Sequence, residues 1–145
     1  MFDRILVVCA GNVCRSPVAE ALLKARLSGG HVESAGLGAL VGAPCAPAAA
    51  RLAAAEGLDV GAHRARQLTD EMLKQADLIL VMSEKQRRAV GERVPVALGK
   101  TLLFGRWLPV GQREIPDPYR GDDALFARVH RRLVEAADAW AERLR

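Results

Sequence analysis

The residue types that could do chemistry lie together near the start of the chain, in Cys9-Ala10-Gly11-Asn12-Val13-Cys14-Arg15-Ser16. The apolar run Ile5-Leu6-Val7-Val8 leads into this stretch, and Pro17, a residue suited to the first turn of a helix, follows it. A buried strand that turns through a Gly/Asn loop into a helix makes an anion site. Its backbone N–H groups point inward, and the helix N-terminus adds positive partial charge. Gly11 and Asn12 tolerate positive φ, which a tight anion-wrapping loop needs. Cys9, at the strand end, would lie at the base of the cradle. A thiol in such a field ionises, and the thiolate is a nucleophile. The chemistry implied is displacement at phosphorus through a phosphocysteine. The plain alternative is a small buried cysteine before an ordinary strand-to-helix turn.

Under the chemical reading, Ala10, Gly11, Asn12, Val13, Cys14 and Ser16 wrap the phosphate. The Arg15 guanidinium clamps two equatorial oxygens, and lysine would be no substitute for that planar fork. Ser16 caps the following helix, and its hydroxyl can also donate to the thiolate. Cys14 is a redox candidate, able to pair with Cys9 and shield it from over-oxidation. Cys45 is isolated in a loop and takes no role. Far along the chain, Asp117-Pro118 reads as either a simple turn or a rigid mount for a general acid. An acid would be required wherever the ester oxygen leaves poorly as an anion. Tyr119, directly after, would wall a slot for an aromatic ring.

These residues need a frame. Residues 4–9, 31–35, 77–82 and 101–104 read as strands, the first and third as continuous buried runs. Val18, Leu22 and Ala25 share one face of the first helix, which Gly29-Gly30 ends. An Ala-rich helix covers 48–56 and stops at Gly57. Thr69 caps a short helix, and Ser83 with Gln86 forms a capping box for the next. From Asp122 onward the chain reads as helix, striped by Phe126, Val129, Leu133, Ala137, Trp140 and Leu144. Strand and helix alternating in this way predict an α/β fold, a parallel sheet with helices on both faces. Ligands in such sheets bind outside the carboxyl ends of the strands, where Cys9 lies.

Composition narrows the function. At 145 residues the chain suits one domain, residues 1–145. Its net charge of +4 is too mild for nucleic-acid binding, and aromatics are sparse, yet it suits an anionic substrate. No run reaches the roughly 18 apolar residues of a membrane span. The start of the chain lacks the marks of a signal peptide, so a cytoplasmic enzyme is expected. Three cysteines argue against a disulfide framework. Neither they nor His31, His63 and His130 have metal-ligand spacing, and no cofactor is expected.

Residues 9–16 together with Asp117-Pro118-Tyr119 resemble the low-molecular-weight protein tyrosine phosphatases. The resemblance extends through Ser34-Ala35-Gly36, 63–67, 77–80 and 103–107. It is greatest, over 34–42 and 114–119, to the bacterial branch that dephosphorylates tyrosine autokinases of capsule and exopolysaccharide export. It implies a three-layer fold with four parallel strands in the order 2-1-3-4. By the same resemblance Asp117 is the acid, Leu40 faces Tyr119 across the slot, and Ser34 and His63 hold Asn12. Arg120 stands where relatives often carry a second aromatic. The implied partner is a phosphotyrosine protein, an autokinase, with no membrane insertion. Two rivals remain: a thiol-coupled arsenate reductase, whose further cysteines are missing from 82–92, and a non-catalytic phosphopeptide-binding module.

Overall fold

The computed structural model describes residues 2–144. Its elements run β1 (Arg4–Cys9), α1 (Arg15–Arg26), β2 (His31–Gly36), α2 (Pro47–Ala55), α3 (Asp70–Gln75), β3 (Leu78–Val81), α4 (Glu84–Arg93), β4 (Thr101–Leu103) and α5 (Asp123–Leu144). The four strands form one parallel sheet in the order β2-β1-β3-β4, as the resemblance implies. Alternation along β1 explains the layers. Ile5, Val7 and Cys9 join the apolar cluster under α1, α2 and α5, while Leu6 and Val8 join the one under α3 and α4. β3 divides likewise, with Leu78 and Leu80 on one side and Ile79 and Val81 on the other. A strand apolar on both faces has to lie at the centre of a covered sheet.

The α5 stripe packs as its spacing predicts, with Phe126, Val129, Leu133, Ala137 and Trp140 buried. The Trp140 indole N–H also donates to the Phe104 carbonyl at 2.8 Å, tying α5 to the end of β4.

Several local expectations are corrected. α1 starts at Arg15 with Cys14 in the capping position, and no side chain caps it. Ser16 lies inside the first turn because its hydroxyl is already engaged with Cys9 and Asn12. Ala25 is exposed; the buried face of α1 runs through Val18, Ala19, Leu22 and Leu23. Ser83 accepts from the Gln86 N–H as expected, but Gln86 reaches back to the N–H of Met82, one residue beyond a capping box. A 3-10 helix over Pro95–Lys100 was not foreseen, since so short a turn leaves no helical periodicity.

The end of β2 sets the shape of the site. A β-carbon on Gly36 would lie 2.7 Å from the Ala10 carbonyl oxygen, so the glycine lets the next strand's loop pass against the Cys9 loop. Gly36→Ala is expected to destabilise the fold by about 1–3 kcal/mol through this overpacking. Thermal unfolding measures the loss, and an unchanged midpoint would show that the contact is not tight.

Candidate active site

Cys9, Ala10, Gly11, Val13, Cys14, Arg15, Gly38, Leu40, Asp117 and Tyr119 line one cleft of about 190 Å³ at the carboxyl end of β1. The cleft thus gathers the predicted nucleophile, arginine, acid and both predicted walls. Asn12 and Ser16, also predicted to wrap phosphate, are fully buried behind it and act on the loop from within.

Asn12 has φ 59°, a left-handed conformation that asparagine accepts more readily than most residues. Every polar atom of its side chain is used. Oδ1 accepts from the Arg66 backbone N–H at 2.9 Å, which sets the orientation of the amide. Nδ2 then donates to Ser16 Oγ at 2.8 Å and to Ser34 Oγ at 3.0 Å. His63 Nε2 lies 2.7 Å from the Asn12 carbonyl; that oxygen can only accept, so this nitrogen carries the hydrogen. Ser34 and His63 therefore hold Asn12, as the resemblance implies.

Ser16 Oγ is 2.8 Å from Cys9 Sγ. The Asn12 amide occupies one of its lone pairs, leaving the hydroxyl hydrogen free to point at the sulfur. Neighbouring backbone holds the rest of the loop: Leu37 donates to the Cys9 carbonyl, Gly38 to Ala10, Leu40 to Gly11 and Ala46 to Val13, at 2.8–3.1 Å. Gln67 in turn donates to the Leu37 carbonyl and accepts from the Ala39 N–H, steadying the wall. Gly38 and Gln67 were missed in the sequence, where only the Gly and Pro punctuation of 36–47 hinted at a shaped loop.

Arg15 is almost wholly buried. One terminal nitrogen donates to the Ile115 carbonyl at 2.8 Å, and the other lies 3.6 Å from Asp117 Oδ2. Its Nε has no hydrogen-bond partner among the described residues. Ile115 is anchored through its own N–H to the Met82 carbonyl beyond β3, so the acid-bearing loop hangs from the sheet. Asp117 is half exposed, and its Oδ1 accepts from the Tyr119 N–H at 3.0 Å. Arg120, at φ 64°, sets its guanidinium 5.5 Å from the centre of the Tyr119 ring, so the aromatic wall is backed by a cation.

Cys45 departs from expectation. It is buried in the same apolar cluster as Cys9 and Cys14. Burial, then the Cys9 charge, push its thiol up to about 11. Burial and the charges of Asp117, Cys9 and Cys45 push Cys14 up to about 12, against a smaller lowering by Arg15.

The comparisons agree with the geometry. The family described as low molecular weight phosphotyrosine protein phosphatase matches residues 4–145. The low molecular weight protein-tyrosine-phosphatase Etp of Escherichia coli (strain K12) is 47% identical over 143 residues, covering 99% of this chain and 95% of that protein. The probable phosphatase EpsP of Ralstonia nicotianae is 43% identical over 145 residues, covering 100% and 98%. The crystal structure of the tyrosine phosphatase Wzb from Escherichia coli K30 in complex with sulphate superposes with a TM-score of 0.96 at 44% identity, covering 100% of both chains. Fold and site define a phosphatase, and the chain belongs to the low-molecular-weight protein-tyrosine-phosphatase family.

The two raised thiols predict a signature in alkali. Unfolded thiols release their protons near 9.0, whereas the native ones hold them to about 11 and about 12. The unfolded state therefore binds fewer protons in that window, and stability falls as pH rises through it, with no contribution below 9.0. Urea unfolding at a series of alkaline pH values should show a shallower fall for Cys45→Ala than for the wild type. Parallel curves would place Cys45 outside this effect.

Proposed function

We propose that Cys9 is the nucleophile of a phosphotyrosine hydrolase that works through a phosphocysteine intermediate. The observation that carries this is the buried, unpartnered Nε of Arg15 at a cleft shared with Cys9 and Asp117. Leaving such a donor unsatisfied costs about 1–3 kcal/mol, a cost that phosphate oxygens would relieve.

In this reading the loop amides and Arg15 hold the phosphoryl group, with Ala10, Gly11, Val13 and Cys14 lining its seat. The Cys9 thiolate attacks phosphorus in line with the tyrosine oxygen. Asp117 donates a proton to that oxygen as the bond breaks. The carboxylate then takes a proton from the water that attacks the phosphocysteine, and the Ser16 hydroxyl stabilises the departing thiolate. Leu40 and Tyr119 flank the substrate ring. Arg15 contributes by holding the charge spread over the equatorial oxygens.

The proposed substrate is a phosphotyrosine protein, a bacterial tyrosine autokinase of polysaccharide export. Similarity to Etp, EpsP and Wzb supports this partner. The proposed setting is the cytoplasm, with residues 1–145 acting as one domain. Among the described residues, no helix is long and apolar enough to cross a membrane.

Cys9→Ser should abolish turnover of p-nitrophenyl phosphate while vanadate still binds; a rate near wild type would remove the nucleophile. Asp117→Ala should slow phosphotyrosine hydrolysis by about 10²–10⁴-fold, and aryl phosphates with better leaving groups by less. Equal losses across leaving groups of widely different acidity would reject Asp117 as the acid.

A further inference from the structure

The mouth of the cleft has one apolar side and one cationic side. Leu40 and Val41 stand exposed on the first, and Tyr119 stands half exposed on the second. Of the side chains lining the cleft, Arg15 and Asp117 face each other at 3.6 Å. Arg120 lies just beyond the lining, with its guanidinium 5.5 Å from the centre of the Tyr119 ring. It is exposed, and among the described residues it pairs with no carboxylate. The two acids that follow it in sequence are engaged elsewhere. Asp122 accepts the Leu125 N–H at 2.8 Å, and Asp123 lies 3.8 Å from Arg51.

The backbone fixes where this cation stands. The Gly121 N–H donates to the Pro118 carbonyl at 2.7 Å, closing a turn in which Arg120 is the third residue. Its φ of 64° is a left-handed value that turns usually give to glycine or asparagine at this place. Strained residues of this kind gather where a ligand is gripped. Within the same turn the Tyr119 N–H donates to the Asp117 carboxylate at 3.0 Å, so acid, wall and cation are tied together.

We propose that Arg120 is a specificity-determining residue that reads a carboxylate beside the phosphotyrosine, so that acidic segments are the preferred substrates. This rests on the phosphotyrosine reading of the cleft. With the phosphate on the loop at the base and the ring between Leu40 and Tyr119, the residues flanking the phosphotyrosine pass over the rim. Next to Tyr119 they meet a guanidinium, whose planar fork of donors suits a carboxylate. Next to Leu40 and Val41 they meet apolar surface, which gives a charge no partner. Contact with the Tyr119 ring restricts the long arginine side chain, so less freedom is lost when a carboxylate docks.

The test uses the full chain and short phosphotyrosine peptides that carry Glu or Gln directly before or after the phosphotyrosine. The pair would form at the surface, so the wild type should favour Glu over Gln by about two- to fivefold in kcat/KM at low salt. The preference should fade towards one at roughly 1 M salt, where charges are screened within about 3 Å. Arg120→Lys should keep part of it, Arg120→Gln should abolish it, and Arg120→Glu should reverse it. Each ratio compares two peptides on one variant, so a change in folding or in the chemical step cancels. Equal rates for Glu and Gln peptides in the wild type, or an undiminished preference in Arg120→Gln, would overturn the proposal. The same ratio is read without turnover from the affinities of Cys9→Ser for the four peptides, with and without Arg120→Gln. A wild type that hydrolysed no peptide would refute the phosphatase mechanism, while these affinities would still decide the role of Arg120. A chain that bound none of the peptides would reject both.

Discussion

The left-handed turn at Asn12 is the constraint on which the site depends. A chain leaving β1 can curl round an anion only if one residue reverses the usual sense of the backbone, and Asn12 does so at φ 59°. A left-handed residue in a loop is held there only if its surroundings over-determine it. Here the side-chain amide and backbone carbonyl of Asn12 are bonded to Ser16, Ser34, Arg66 and His63. The loop is thereby wired to α1, to β2 and to the 63–66 segment, all before any ligand arrives. In the proposed reaction, binding a phosphate would then require little ordering of this loop.

The parallel sheet explains how parts distant in sequence reach one cleft. Register places the ends of β1, β2 and β3 side by side, with Cys9 paired to Gly36 and Val8 to Val81. The loop after β2 supplies the Leu40 wall, while the chain beyond β4 returns to hydrogen-bond the Met82 carbonyl and brings Asp117 over Arg15. Small residues allow this crowding. Gly36 stands where a side chain would strike the Ala10 carbonyl, so β2 can hand its chain to the wall without spreading the cradle.

Charge within the cleft is arranged rather than merely accumulated. A buried guanidinium sits between a backbone carbonyl and a half-exposed carboxylate, and one of its donors is left over. The same low-dielectric neighbourhood that sharpens Arg15 also discourages ionisation of Cys14 and Cys45. Of the three sulfurs in this apolar cluster, Cys9 is the one that meets the Ser16 hydroxyl.

Much of this was legible in the linear chain where partners are close in sequence. A strand, a Gly/Asn turn and a Pro-started helix keep Cys9, Arg15 and Ser16 within one short loop, so covalent spacing and local preference suffice to place them. The two-sided apolar runs of β1 and β3 likewise announce a covered parallel sheet. Strand order was implied by family resemblance, since periodicity carries no record of which edges pair. Only tertiary structure gave Ser34, Arg66 and His63 their hold on Asn12, joined Gln67 to the wall, and buried Cys45 in the apolar cluster that holds Cys9. Those contacts are decided by crossover and register, which close long loops and leave no local signature in the residues they join.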